Sequence, residues 1–160
     1  MTDLYDEGAV AGIAGRIDGW LAEMAATNPV IAAVDRHEGE PIRWYVRMRG
    51  EAKDYITVWL TLGQRTLQYE AYVIPAPEEH HAELYESLLR RNERLVGLHF
   101  AIGVEDAIFV RGDLPLAVLT EPELDRVLGT VYATVEQCFT SLLHLAFASR
   151  FAPPPGQPAG

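Results

Sequence analysis

The most constraining feature of this sequence is a block between Ile42 and Val73 in which apolar and polar residues alternate three times over. Ile42, Trp44, Val46 and Met48 fall on one parity, and Arg43, Tyr45, Arg47 and Arg49 on the other. Ile56, Val58, Leu60 and Leu62 oppose Tyr55, Thr57, Trp59 and Thr61. Leu67, Tyr69, Ala71 and Val73 oppose Gln68, Glu70 and Tyr72. Side chains of a strand point alternately to the two faces of a sheet, so a period of two marks strands with one face buried. The breaks at Gly50–Lys53 and Gly63–Arg65 are short enough for hairpin loops. The block therefore predicts a three-stranded antiparallel meander. Pro75-Ala76-Pro77 ends it, because proline has no N–H to give a ladder.

Helical periods flank this block. Val10, Ile13, Ile17, Leu21 and Met24 recur on one helical face between about Gly8 and Ala26, with Trp20 beside them and Arg16, Asp18 and Glu23 elsewhere. Gly12, Gly15 and Gly19 each weaken that helix by about 1 kcal/mol relative to alanine, so it needs docking to hold. A second helix is expected from about Glu78 to Leu95, with Glu78, Glu79 and Glu83 at its start and Arg90, Arg91 and Arg94 at its end, matching the helix dipole. Two short strands follow, near Leu98–Ile102 and Ala107–Arg111, with Asp113-Leu114-Pro115 leading away. Thr120 and Glu123 form a capping box that opens the last helix. Leu124, Leu128, Val131, Val135, Cys138, Leu142 and Leu145 then repeat at alternating spacings of four and three, a core-facing or helix-pairing seam. Val30–His37 reads equally as helix end, loop or strand. The expected fold is one α+β domain over residues 1–151 with a five-stranded antiparallel sheet, in the order helix, three strands, helix, two strands, helix. A disordered Pro/Gly-rich tail is expected over 152–160.

Composition narrows the function classes. The chain has 160 residues with 23 acidic and 13 basic side chains, a formal net charge of −10. That balance argues against general nucleic-acid or anionic-membrane binding, where basic groups supply the affinity. Met1–Asp6 lacks the basic and apolar regions of a signal peptide, and no apolar run is long enough to span a bilayer. A single cysteine, Cys138, allows no internal disulfide. A cytoplasmic protein is expected.

The polar parity of the meander is the candidate site. It displays Arg43, Arg47, Arg49, Tyr45, Tyr55, Trp59 and Tyr72, with Thr57, Thr61 and Gln68 between them. Tyr, Trp and Arg are the residue types that dominate interface hot spots, and Arg against aromatic rings adds cation–π attraction. Two readings stay open: the first helix covers this face and makes Trp59 core, or another chain covers it. Arg43, Tyr45, Arg47, Tyr55, Trp59 and Tyr72 are the expected partner-binding residues. An aromatic antiparallel sheet is also an RNA-binding pattern, opposed here by the charge and by the lack of a Gly-aromatic signature in the strands.

Other motifs carry less. Glu78, Glu79, His80 and His81 suggest a metal, but consecutive residues of a helix point about 100° apart and cannot chelate one ion well. Cys138 lies on an apolar seam, where a small buried hydrophobe is expected. Arg111-Gly112-Asp113 spells a cell-adhesion tripeptide of low specificity. No nucleophile–base arrangement, phosphate loop or dinucleotide fingerprint is present in the sequence. No cofactor, metal or catalytic residue is expected.

Several runs together resemble the bacterial YbjN family of sensory-transduction regulators, in particular its actinobacterial branch. They are Arg43-Trp44-Tyr45-Val46-Arg47-Met48-Arg49-Gly50, Ile56 to Leu62, Tyr72-Val73-Ile74-Pro75-Ala76-Pro77-Glu78-Glu79, Leu84-Tyr85-Glu86 and Leu88 to Asn92. Phe100-Ala101-Ile102-Gly103, Leu114-Pro115-Leu116 and Glu123-Leu124-Asp125-Arg126 complete the set, which spans about Ile42 to Phe151. Arg111-Gly112-Asp113 departs from the family pattern. The resemblance implies a fold similar to type III secretion chaperones, small acidic proteins that often dimerise and hold a partner chain. It brings no catalytic motif. The expected function is a non-catalytic protein-binding domain, a chaperone-like adaptor or regulator that forms homodimers. The alternative is a small-molecule-sensing regulatory domain, with an enzyme of uncommon site behind it.

Overall fold

The three alternating segments become three consecutive antiparallel strands. A computed structural model describes residues 4–151. The chain runs α1 (Glu7–Thr27), β1 (Ile31–His37), β2 (Ile42–Arg49), β3 (Tyr55–Leu62), β4 (Thr66–Ile74), α2 (His81–Asn92), β5 (His99–Ile102), β6 (Ile108–Pro115), α3 (Glu121–Ala146) and α4 (Ala148–Phe151). The class is α+β, as expected. The expected tail over 152–160 lies outside the described residues.

The sheet has six strands and not five, in the order β1-β2-β3-β4-β6-β5, with every neighbouring pair antiparallel. The added strand is β1, from the ambiguous segment. It sits at the sheet edge, and its burial fades from buried Ile31 to exposed Asp35, Arg36 and His37. A register shift between Ile31 and Ala33 breaks the phase of the pattern. An edge strand with a bulge has no clean period to read.

β6 is also longer than expected. It continues through Arg111-Gly112-Asp113 to Pro115, and pairs with the length of β4 from Ile74 back to Thr66. The tripeptide is therefore ladder, not an exposed loop. Gly112 is required there by contact, since a Cβ would lie 2.5 Å from the Tyr69 ring and 2.3 Å from the Gly97 carbonyl.

All the long helices gather on one face. Ile13, Ile17, Leu21 and Met24 of α1, Leu84 and Leu88 of α2, and the α3 seam from Leu124 to Leu142 share one core with Trp44, Val46, Ile56, Val58, Leu60, Leu67 and Val73. The α3 seam is thus intramolecular core, although Leu145 is only partly buried and Ala146 completes the stripe. Thr120 caps α3 by accepting from the Glu123 amide at 3.3 Å, while the Glu123 carboxylate takes Arg126 in place of the box's return bond.

α1 is held on this face by a polar clasp. Trp44 is 1% exposed, and its indole Nε1–H donates to Asp18 Oδ1 at 2.7 Å. The other Asp18 oxygen pairs with Arg36 of β1, whose guanidinium lies over the Trp44 ring.

α2 begins three residues later than expected. The Glu78 and Glu79 amides donate to the Ala146 carbonyl, the Glu79 carboxylate takes the Ser149 amide and hydroxyl, and Glu78 pairs with Arg150. These acids fasten the α3–α4 junction, and His80 enters α2 in a left-handed conformation. Only Glu83, Arg90 and Arg91 keep the dipole roles read from the sequence.

Candidate functional site

Helices on one face leave the other to the outward parity of the strands. Cross-strand register sets the rows. Asp35, Tyr45, Trp59, Glu70, Arg111 and His99 align across all six strands, and His37, Arg43, Thr61, Gln68 and Asp113 form the next row. Among the described residues no helix lies on this face: the helices' buried residues and Trp44 belong to the opposite core, which does not include Trp59 or Tyr45. The first-helix cover for Trp59 is therefore corrected. Trp44, one residue away in phase, is the tryptophan that α1 covers.

Five of the six predicted residues form one cluster on β2 and β3. Tyr45 and Trp59 meet edge-to-face with centroids 5.8 Å apart. Arg43 donates from Nε to Thr61 Oγ1 at 3.0 Å and lies 5.9 Å from the Trp59 ring centre. Arg47 stacks on Tyr55 at 3.7 Å. Offset and edge-on ring pairs of this kind add roughly 0.5–1.5 kcal/mol beyond area burial, and an exposed cation–π contact about 0.5–1. The cluster is preorganised.

Tyr72 stands apart, in a second group on β4 and β6. It meets Phe109 edge-to-face at 5.7 Å, and Arg111 lies over the Phe109 ring, 5.0 Å from its centre, and is ion-paired to Glu70 at 2.8 Å. Burial, then the Glu105 carboxylate, pushes the Tyr72 phenol up. Phe109 and Arg111 were not anticipated. Ile108, Phe109 and Val110 are all buried, which hides the alternation. The two-residue step from Phe109 to Arg111 was the available signal.

Between the groups is a hollow of about 380 Å³, edged by Arg43, Trp59, Thr61, Glu70, His99 and Arg111. It mixes guanidinium and carboxylate groups around one indole. A separate apolar groove of about 330 Å³ runs between α2 and β5, where Tyr85, Leu89 and Ile102 line it. There the outer edge of β5 is blocked: Asn92 accepts from the Phe100 amide at 2.6 Å and donates to its carbonyl at 3.3 Å.

The remaining motifs resolve into structural roles. Burial pushes the Cys138 thiol up to about 11, so it is a poor nucleophile near neutrality. His80 Nδ1 faces the Leu145 carbonyl at 3.0 Å, and among the described residues no three His, Cys, Asp or Glu side chains are gathered for a metal. No described helix is long and apolar enough to cross a membrane. One anchor had no sequence signal: the Glu136 carboxylate of α3 accepts from the successive amides of Glu51, Ala52 and Lys53, at 3.1, 2.8 and 3.3 Å, and fixes the β2–β3 loop.

Comparison with known proteins places this architecture. The sequence model of YbjN, a family described as "Putative bacterial sensory transduction regulator", matches residues 14–144. Uncharacterized proteins of Mycobacterium tuberculosis and Mycobacterium bovis are 36% identical over 114 residues, covering 71% of this chain and 62% of theirs. One of Mycobacterium leprae is 35% identical over 108 residues, covering 68% of this chain and 59% of its own. The chain spans about three fifths of the length of these curated relatives. The match runs from within α1 almost to the end of α3, taking in every strand and the Arg/aromatic face, and the chain belongs to the YbjN family.

Proposed function

We propose that this chain is a non-catalytic regulatory domain that docks a partner protein on the outer face of β2, β3 and β4. Arg43, Tyr45, Arg47, Tyr55, Trp59 and Tyr72 supply the contacts. The observation that carries this reading is the composition of a sheet face with no described helix over it. A solvated sheet face is ordinarily polar. This one carries an arginine stacked on Tyr55, a second arginine beside Trp59 and aromatic rings in edge contact, the side chains of interface hot spots. The family description supports a regulatory role. Chaperone-like holding of a partner chain and formation of a homodimer belong to the same proposal, because either would use a preorganised face of this kind.

The test compares the parent chain with Trp59→Ala and Tyr45→Ala by native mass spectrometry and by affinity capture from the source cells. Circular dichroism serves as the folding control. Loss of the bound partner, or of the dimer, in folded variants is the expected result. Unchanged partners and unchanged stoichiometry would overturn the reading. A second reading rests on the hollow beside Trp59: with Arg43 and Arg111 on one hand and Glu70 on the other, it suits a small zwitterionic ligand. A thermal-shift screen against metabolites separates the two.

A further inference from the structure

We infer that the element docked on this face is an extended, carboxylate-rich protein segment read by the guanidinium edges of Arg43 and Arg47, an inference that rests on the protein-docking reading above. The first argument is local charge. The outward side chains of β2 and β3 are Arg43, Tyr45, Arg47, Arg49, Tyr55, Thr57, Trp59 and Thr61, three cations and no carboxylate, in a chain with 23 acidic and 13 basic residues. Among the described residues none of these arginines enters an ion pair. Arg49 is held instead by the Pro29 carbonyl at 2.7 Å. The neighbouring strands of the same face carry Asp35 opposite Tyr45, Glu70 opposite Trp59 and Asp113 opposite Gln68, and of these Glu70 is engaged by Arg111.

The second argument is orientation. A guanidinium stacked on a ring is held by its flat side and keeps its edge N–H groups for other acceptors, and that fork matches a carboxylate. Arg47 on Tyr55, at 3.7 Å, has this arrangement, while Arg43 lies 5.9 Å from the Trp59 ring centre, gives its Nε–H to Thr61 and keeps its two terminal NH₂ groups. A partner covering them without acceptors would strip water from unpaired charges, which costs several kcal/mol per ion. A carboxylate answers that cost with both an acceptor and an opposite charge. The third argument is spacing: Arg43, Arg47 and Arg49 lie along one strand at two-residue multiples over about 20 Å, the repeat of an extended chain. Nucleic acid fits less well. Bases need free ring faces to stack on, and Arg47 occupies one at 3.7 Å while Tyr45 meets Trp59 edge-on.

The test is fluorescence anisotropy with the full chain and three labelled probes: a peptide alternating glutamate and tyrosine, its glutamine counterpart, and a single-stranded oligonucleotide. The glutamate peptide is expected to bind at least roughly tenfold tighter than the glutamine peptide. Arg43→Gln and Arg47→Gln should each weaken it several-fold and flatten its salt dependence. Equal binding of the two peptides, no binding of the acidic one, or equal binding of the oligonucleotide overturns the inference. If Trp59→Ala releases the captured partner while both Arg→Gln variants hold it at every salt concentration, docking stands and carboxylate reading falls. If Trp59→Ala changes nothing, the docking reading itself has failed.

Discussion

Replacing Asp18 tests why the Arg/aromatic face is open at all, because Asp18 ties α1 to the other side of the sheet. In Asp18→Ala the Trp44 Nε1–H, on a side chain 1% exposed, loses its acceptor at 2.7 Å. A buried donor left unmade costs about 1–3 kcal/mol. The Arg36 pair adds little, since both side chains are 39% exposed and such pairs contribute about 0–1 kcal/mol. The total is roughly 2 kcal/mol, or a fall in Tm of about 4–8 °C for a domain of this size. Asp18→Asn keeps a carbonyl oxygen for the indole and should lose no more than about half of that. Thermal denaturation followed by circular dichroism and by tryptophan fluorescence reads both variants. If Asp18→Ala melts within 1 °C of the parent, or if Asn is as damaging as Ala, the clasp does not hold α1 and the reasoning fails.

Three further outcomes follow from single positions. A Cβ on Gly12, Gly15 or Gly19 would meet nothing within 4 Å, so each Gly→Ala should stabilise α1 by about 1 kcal/mol, seen as a higher Tm. Gly50→Ala should do the opposite, because its Cβ would lie 2.0 Å from the Lys53 carbonyl and 2.2 Å from Glu136; a loss of at least about 1–3 kcal/mol in urea denaturation is expected. Cys138 makes stability fall in alkali: the unfolded thiol ionises from about pH 9 and the buried one only near 11, so the unfolded state sheds its proton first. The contribution, roughly 2–3 kcal/mol, is present below pH 9 and lost towards 11. Cys138→Ala should flatten that limb of a Tm–pH profile.

Much of the fold was legible because its central strands are half-buried. The β2–β4 meander follows the alternation almost to the residue, and α3 follows its seam. What could not be read lies where local pattern is overridden. β1 combines an edge position with a bulge, β6 buries three residues in a row at Phe109, and Glu78 and Glu79 serve α4 instead of α2. The candidate face was legible as a parity, but which helix covered which parity was not. That depended on Asp18, a polar residue whose partner Trp44 is 26 residues away in the chain. Long-range pairs of this kind leave no mark on periodicity.

The most direct test of the central claim, that the Arg/aromatic face receives a protein, is site-specific photo-crosslinking in the source cells. A photoreactive phenylalanine analogue replaces Tyr55, which is 42% exposed on that face, and in a control replaces Leu89, which is 69% exposed on α2. The account predicts a discrete crosslinked protein from position 55, absent from position 89 and abolished by Trp59→Ala. Equal products from both positions, or none from position 55, would contradict it.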